Sequence, residues 1–398
     1  MSIRGLRARL VSFMRRARKG AALVAASATL AACNVGGPVL SGAGAGGIQG
    51  DGPVRVALLV PQGSARQTDA VVAQSLENAA RLAVADLGGA SVTLSVYATQ
   101  GTPAGATAAA NAALSEGAQV ILGPLYADNA AAAGVAASGS GVPVLSFSNN
   151  TSVAGGNVWV LGNTFENTAR RVLGFAAAQG RNRVLVTHAD DENGRIANDA
   201  VLTAARGGST QITGSISYQL SQQGIAAVVP QVVERAEATD TNAVFLTGNT
   251  AGDLPVISQL LSERGLGDEE TRFLGLTRWD IPTDALSLPG LQGGYFALPD
   301  PAPLAQFNAR YAGAYGTQPH PLASLAYDGV AAIGAIAGRG QTVGRGTLTA
   351  NSGFAGTGGV FRLRGDGTND RALAVAQIVN RQIQVVSPAP NSFGGAGS

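Results

Sequence analysis

A histidine beside three acids is the nearest approach in this sequence to a catalytic constellation. His188 is followed by Asp190, Asp191 and Glu192, and a serine elsewhere could complete a Ser-His-Asp arrangement. Serine hydrolases of the α/β type place the nucleophile on a sharp turn within G-x-S-x-G, and that pattern does not occur here. We therefore expect no catalytic residues, and a hydrolase that uses His188 is the weakest of three alternatives.

Composition excludes several other kinds of chemistry. The chain has 1 Cys and 2 His, too few for a zinc cluster or an internal disulfide. Its one lysine is Lys19, so no P-loop lysine follows a glycine-rich loop. The acids at 190–192 lack the regular alternation of oxygen ligands found in calcium loops. We expect neither a metal nor a cofactor.

The charge of the chain is divided unevenly. It has 27 Lys and Arg against 25 Asp and Glu, and seven of the basic residues precede residue 20 with no acid among them. Removing those seven leaves 20 basic against 25 acidic residues, a net charge of about −5. Binding to nucleic acid through phosphate contacts is therefore not expected.

The basic segment is followed by a short apolar stretch that ends in Leu30-Ala31-Ala32-Cys33. This arrangement is typical of a signal peptide, and its end resembles the bacterial lipobox. The resemblance implies cleavage before Cys33 and a lipid on its sulfur, with an ordinary signal peptide as the alternative. Asn34 favours the outer membrane over the inner one. We expect a periplasmic, lipid-anchored protein with a Gly-rich tether over residues 33–53.

After the tether, buried strand patterns alternate with helical periodicity. Val54–Val60 is a continuous apolar run, as in a strand covered on both faces. Asn163 and Glu166 have the spacing of a capping box, which divides the repeated units into two sets. This predicts an α/β fold of two lobes, each a mostly parallel sheet flanked by helices. The expected ranges are 1–32 for the signal peptide, 54–162 plus 300–345 for lobe 1, 163–299 plus 346–386 for lobe 2, and 387–398 for a disordered tail.

Four ordered motifs resemble the type I periplasmic-binding-protein fold, in its leucine-binding branch. They are Gly123-Pro124-Leu125-Tyr126 with a following Gly-Val-Pro-Val strand, Asp191–Arg195 at a helix start, Tyr327-Asp328-Gly329 within a helix, and Gly356–Phe361. Within that fold, the lipobox, Gly123-Pro-Leu125 and Leu145-Ser-Phe-Ser-Asn149 resemble lipoproteins that activate penicillin-binding proteins. The resemblance implies a non-enzymatic regulator whose partner is a peptidoglycan synthase. The alternative is a solute receptor that binds amino acids or similar small polar ligands and delivers them to an ABC permease.

The resemblance also implies where a ligand would bind. Loops at the carboxyl ends of the strands should face the cleft. In the first lobe the implied positions are Tyr126, Ala127, Ser146, Ser148 and Asn149; in the second they are Asn193, Asn249 and Trp279. For the polar residues, capping a helix or a turn is the alternative role. Asn193 stands where the receptors usually have Tyr, so an aromatic wall over a leucine-like side chain is missing. Asp328 is expected to be structural, at the crossover between lobes.

Overall fold

The computed structural model describes residues 52–88 and 91–393, which all belong to one compact unit beginning at residue 45. The expected signal peptide, the lipidation site Cys33, most of the tether and the last five residues lie outside the described residues. Within the described ranges, no helix is long and apolar enough to span a bilayer.

The first part of the chain builds a parallel sheet with helices between its strands. Its elements, in chain order, are β1 Val54–Val60, α1 Gln67–Asp86, β2 Val92–Ala98, α2 Pro103–Ser115, β3 Val120–Leu122, α3 Ala127–Ser138, β4 Val144–Ser146 and β5 Val158–Val160. The strand order is β2-β1-β3-β4-β5, with every pair parallel. Strands β3, β4 and β5 are buried throughout, as their apolar sequences predict.

The second part repeats the pattern around another sheet. Its elements are α4 Phe165–Ala178, β6 Arg183–Ala189, α5 Glu192–Arg206, β7 Gln211–Tyr218, α6 Gln222–Ala238, β8 Ala243–Leu246, α7 Leu254–Ser262, β9 Arg272–Gly275 and β10 Tyr295–Pro299. The chain then forms α8 Pro301–Tyr315, α9 Ala323–Ala337 and α10 Arg345–Leu348, and ends in β11 Phe361–Leu363, β12 Asn369–Arg371, β13 Leu373–Val379 and β14 Gln382–Ser387.

The second sheet has the order β14-β13-β10-β9-β8-β6-β7, and β11 and β12 form a separate ribbon. Strands β6 to β10 are parallel, whereas β13 and β14 are antiparallel to their neighbours. The expected fold class, two mostly parallel sheets flanked by helices, is confirmed. The sequence patterns gave no strand at Tyr295–Pro299 or Asn369–Arg371.

Helix starts follow local capping chemistry, with one shift from expectation. The cap of α4 is Thr164, whose hydroxyl accepts a hydrogen bond from the amide of Asn167 at 3.1 Å. The expected cap, Asn163, instead donates its side-chain amide to Thr168 at 2.8 Å. The predicted capping residue was therefore wrong by one position, although the helix that it predicted is present.

Separate hydrophobic cores define the two lobes, and they revise the expected boundaries. Leu348, Phe354, Phe361 and Leu363 pack with the core of the first sheet, so the segment from 346 to β11 does not belong to lobe 2 as expected. The core of lobe 2 takes up the chain again at Ala372. Lobe membership of the remaining ranges stays a prediction.

The start of the expected tail is packed against the protein. The guanidinium of Arg171 donates to the carbonyl of Ser387 at 3.3 Å and to that of Pro388 at 3.1 Å. Phe393 packs against the lobe 2 core, and Arg362 lies over its ring at 4.9 Å from the centroid. Residues 387–393 are therefore part of the folded unit, and the expectation of a disordered tail was wrong for them.

A buried polar network joins the lobes where the chain crosses between them. Arg371 donates to Asp328 on α9 at 2.9 Å and to the carbonyl of Leu161 at 2.7 Å, both in lobe 1. Its backbone amide and carbonyl bond the side chain of Asn167 on α4, in lobe 2. Asp328 also accepts from the amide and hydroxyl of Thr357. The structure thus places Asp328 at the crossover, with 1% of its surface exposed.

Replacing Asp328 should destabilise the protein strongly. Asp328→Asn keeps an oxygen for Thr357 but leaves the Arg371 guanidinium, 10% exposed, without its counter-charge. Losing one partner of a buried pair typically costs about 3–5 kcal/mol. Urea unfolding followed by circular dichroism measures the effect. The matched control is Arg195→Gln, because its ion pairs with Asp190 and Glu192 are exposed and should contribute under about 1 kcal/mol. Equal unfolding midpoints for the two variants would contradict the assignment.

Candidate functional site

The carboxyl ends of both sheets lie next to the crossovers. The carbonyl of Val160, which ends β5, accepts from the side chain of Asn369 at 2.8 Å. After β10, the amide of Asp300 bonds the carbonyl of Gly358 at 2.8 Å. Strands from both lobes thus end at the same connecting segment. In this topology, ligands bind at the loops that follow the carboxyl ends of the strands, and these loops therefore form the candidate site.

In lobe 1 these loops are joined by a cluster that we call the lobe 1 cluster: Arg66, Asp69 and Tyr126. The Tyr126 hydroxyl donates to Asp69 Oδ1 at 2.5 Å, which links the loop after β3 to the first turn of α1. The Arg66 guanidinium lies over the Tyr126 ring, 4.7 Å from its centroid. Asp69 is 3% exposed, whereas Arg66 is exposed. The buried Asp69 carboxylate thus holds the Tyr126 ring in place, and the exposed Arg66 cation lies over that ring.

The surroundings of Tyr126 disfavour its ionisation. Burial raises the pKa of the Tyr126 phenol, and its hydrogen bond to the Asp69 carboxylate raises that pKa further. The contact with Tyr126 in turn raises the pKa of Arg66. At neutral pH the phenol is therefore a neutral donor and the guanidinium a cation.

A glycine turn brings the loop after β3 close to its neighbours. Gly123 has φ +93°, and a Cβ there would lie 2.3 Å from the carbonyl oxygen of Leu59. Its amide donates to the carbonyl of Leu145 at 2.7 Å. This close approach fixes the course of the chain into Tyr126 and half-buried Ala127, which begins α3.

The serine hydroxyls of the loop after β4 form hydrogen bonds within the protein. The Ser146 hydroxyl donates to the carbonyl of Pro124 at 2.9 Å and accepts from the amide of Ser148 at 3.1 Å. The Ser148 hydroxyl accepts from the amide of Asn150 at 3.1 Å. Ser146 and Ser148 are 0% and 6% exposed, so their side chains shape the loop and do not face solvent as expected. Asn149, in contrast, is exposed.

Lobe 2 has a corresponding arrangement, the lobe 2 cluster, formed by Tyr218, Asn249 and Asp253. The Tyr218 hydroxyl donates to Asp253 Oδ2 at 2.5 Å, and Asp253 Oδ1 accepts from the amide of Asn249 at 3.1 Å. Burial and the nearby Asp253 carboxylate raise the pKa of Tyr218 far above its usual value. Asn249 is exposed, with Oδ1 accepting from the amide of Ala251 at 3.1 Å.

Asn193 lies in the first turn of α5 and is exposed. The helix cap before it is Asp191, whose carboxylate accepts from the amide of Gly194 at 2.7 Å. Asp190 and Glu192 are exposed and pair only with the exposed Arg195, at 3.7 Å and 3.2 Å among the described residues. This loop therefore presents acids beside Asn193, in contrast to the cation of the lobe 1 cluster.

Trp279 is not part of a ligand-facing surface. Its side chain is 0% exposed and stacks on Phe296 with 5.8 Å between ring centroids. Gly275 and Gly294 leave the space that the indole fills, since a Cβ at either position would lie 2.3 or 2.4 Å from a ring atom. The expectation that Trp279 lines the cleft was wrong because two glycines admit it to the core.

The structure separates the expected residues by role. Tyr126, Ala127, Asn149, Asn193 and Asn249 lie at the carboxyl edges, whereas the two serines and Trp279 are enclosed. Arg66, Asp69, Tyr218 and Asp253 were not among the residues predicted from the sequence. Two of them could have been found from the sequence, because Arg66 follows the predicted strand β1 and Tyr218 ends β7. The carboxyl ends of parallel strands share one edge of a sheet.

The described residues hold no group of three His, Cys, Asp or Glu side chains with the spacing of a metal site. His188 is 8% exposed, and its Nδ1 lies 2.9 Å from the carbonyl oxygen of Ala189. Its polar contact is thus with its own strand, and the neighbouring acids are engaged elsewhere.

Comparison with known proteins gives one family and many structures. A family model described as periplasmic binding protein matches residues 53–382. A putative branched-chain amino acid ABC transporter protein from Rhodospirillum rubrum is 18% identical, with a TM-score of 0.71, over 84% of this chain and 100% of that one. A branched-chain amino acid ABC transporter periplasmic ligand-binding protein from Burkholderia xenovorans is 17% identical, with a TM-score of 0.68, over 86% and 97% of the two chains.

A third structure is an ABC transporter substrate-binding protein from Desulfitobacterium hafniense in complex with Leu. It is 18% identical, with a TM-score of 0.62, over 84% of this chain and 100% of that one. The search of curated proteins finds no match. These likenesses confirm the type I periplasmic-binding-protein fold that the motifs predicted.

The leading functional expectation, an activator of penicillin-binding proteins, was wrong. The matching structures named above are described as ABC transporter proteins, two of them as ligand-binding or substrate-binding proteins. Two of the segments on which that expectation rested have structural explanations. Gly123 is required by the close approach to Leu59, the Ser146 hydroxyl donates to the carbonyl of Pro124 in the neighbouring loop, and the Ser148 hydroxyl accepts from the amide of Asn150. These residues are needed to build the edge of the sheet, whichever partner or ligand it serves.

Removing the Tyr126 hydroxyl should cost stability as well as any binding. Tyr126→Phe leaves a buried carboxylate oxygen of Asp69 without its donor, a loss of about 1–3 kcal/mol. Thermal unfolding at pH 7 measures it. The control is Tyr315→Phe, whose hydroxyl donates to the backbone carbonyl of Asn78 at 2.8 Å, a neutral acceptor, so its loss should be smaller. Unchanged stability of Tyr126→Phe would show that Asp69 does not depend on this bond.

Proposed function

The chain belongs to the periplasmic binding protein family, and on that premise we propose that it is the solute receptor of an ABC importer. Its ligand is an amino acid or a similar small polar molecule, and its partner is an ABC permease. One observation carries the proposal: each lobe has an exposed loop at the carboxyl edge of its sheet, held by a tyrosine that donates to a buried aspartate. Such loops are fixed before a ligand arrives, which lowers the entropic cost of binding.

The charges at the two edges suit a ligand with both an anionic and a cationic group. Lobe 1 offers the exposed Arg66 guanidinium, and lobe 2 offers Asp190 and Glu192, which share one arginine. A zwitterion with its carboxylate toward lobe 1 and its ammonium toward lobe 2 is complementary to both. The solved relative from D. hafniense is a complex with Leu, a ligand of this charge type.

Asn193 indicates a more polar side chain than that of leucine. The receptors that the sequence resembles usually place a tyrosine at this position, and here an exposed amide replaces the aromatic surface. An amide offers hydrogen bonds and little apolar area. We therefore expect preference for a polar amino acid or a related compound over the branched-chain ones.

A thermal-shift screen with residues 34–398 tests the proposal directly. Polar and apolar amino acids, short peptides and simple organic acids form the panel. A ligand at about a thousand times its dissociation constant stabilises the folded state by about 4 kcal/mol, which raises the melting temperature by several degrees. The shift should shrink or vanish in Arg66→Gln and Asn249→Ala, which alter exposed groups in the two clusters.

The control variant is Val135→Ala, since Val135 is 76% exposed on α3 and lies outside both clusters. It should keep the full shift. A ligand response that survives both cluster variants would place the binding site elsewhere. No response to any compound in the panel would contradict the receptor proposal.

We propose further that the protein binds its ligand without converting it and is held in the periplasm by a lipid on Cys33. Support comes from Leu30-Ala31-Ala32-Cys33, which contains the one cysteine of the sequence. Two or three acyl chains hold a protein at a membrane, because each buried CH₂ contributes about 0.8 kcal/mol. Metabolic labelling with a radioactive fatty acid should mark the protein, and Cys33→Ser should abolish the label. Labelled Cys33→Ser would refute the lipid site, and membrane fractionation identifies which membrane holds the protein.

A further inference from the structure

Arg272 is an almost fully buried arginine without a counter-charge. Its exposed fraction is 9%, and within residues 52–88 and 91–393 it forms no ion pair and no side-chain hydrogen bond. Its Nε is enclosed and unpartnered. Its one described interaction is with the Tyr295 ring, 5.7 Å from Cζ to the centroid. A buried charge without a partner lowers the stability of the folded state, so an anion bound beside Arg272 would raise that stability.

The position of Arg272 separates it from the proposed solute site. Arg272 begins β9, where it pairs with Ala243 at the start of β8. Its amide donates to the carbonyl of Asn242 at 3.2 Å. It therefore lies at the amino edge of the lobe 2 sheet, whereas the loops with Asn193 and Asn249 follow the carboxyl ends of the strands.

The guanidinium occupies a slot that the neighbouring residues shape. Gly293 has φ +79°, and a Cβ there would lie 2.3 Å from Arg272 Nη1, so any other residue would displace the charge. Tyr295 forms one wall, and Phe175 packs edge-on against Tyr295 with 5.1 Å between centroids. The side chain is thus held in one place before an anion binds.

Two other arginines at the same edge do have hydrogen-bond acceptors. Arg181 donates to the carbonyls of Glu269 and Glu270, and Arg183 donates to the carbonyls of Thr239 and Asp240. The nearby carboxylate of Asp268 accepts from the amides of Glu270 and Thr271 and so caps its own loop. Three guanidiniums therefore lie along this edge, and Arg272 is the one left without an acceptor among the described residues.

We propose that Arg272 binds a small carboxylate at this edge of lobe 2, as a second site independent of the solute site. The planar fork of a guanidinium matches the two oxygens of a carboxylate. Because Gly293 and the Tyr295 ring lie beside the guanidinium, we expect a small planar anion to reach it more readily than a bulky one. The proposal does not rest on the receptor function, because a non-receptor with this fold would have the same unpaired charge.

The test compares the melting temperature of the purified mature protein in acetate, phosphate and chloride at equal ionic strength. Acetate should raise the melting temperature by a few degrees relative to chloride, because an anion that binds only the folded state stabilises it. Arg272→Met should abolish the acetate effect. That variant should fold, since replacing an unpaired buried charge by an apolar side chain of similar length is commonly tolerated.

Two further variants separate the effect of charge from that of guanidinium geometry and provide a control. Arg272→Lys retains the charge but loses the fork, so the acetate effect should become smaller without vanishing. Arg181→Met is the matched control at the same edge and should keep the full effect, even though it loses its carbonyl contacts. An acetate effect that persists in Arg272→Met, or that is absent from the wild type, would overturn the proposal. An effect of phosphate without one of acetate would overturn the assignment to carboxylates.

Discussion

Arg371 holds one lobe with its side chain and the other with its backbone. Its guanidinium bonds Asp328 and the carbonyl of Leu161, while its amide and carbonyl bond the side chain of Asn167. Both sheets present their carboxyl edges next to this segment because β5 and β10 end there. A charged pair that is almost completely removed from water therefore lies in the network that joins the two lobes.

In both lobes an exposed loop is held by a tyrosine that donates to a buried aspartate. A loop that must stay exposed for a ligand has no core of its own, so it needs polar anchors beneath it. Tyr126 on Asp69 and Tyr218 on Asp253 provide them, and burial keeps both phenols protonated as donors. The exposed charged groups near these anchors differ between the lobes, with Arg66 in lobe 1 and Asp190 and Glu192 in lobe 2.

Much of the fold could be predicted from the sequence, and the reasons are local. Val54–Val60 is a strand over the expected range because a continuous apolar run suits a strand covered on both faces. Asn369–Arg371 was missed because its three residues are polar, and Tyr295–Pro299 because its proline argues against a strand. Of the candidate site, the sequence predicted loops at the carboxyl ends of the strands, but it expected Trp279, Ser146 and Ser148 to face a ligand, whereas their side chains are buried.

The sequence by itself determined the alternation of strand and helix and the division into two lobes. These follow from the spacing of apolar residues and from turn chemistry within a few positions along the chain. Only the tertiary structure decided which polar groups are exposed and which are partners. Arg371 meets Leu161 and Asn167 across more than 200 residues of sequence, and Arg272 meets no acceptor among the described residues. Pairing and burial of this kind arise from packing between distant segments, to which no local pattern is sensitive.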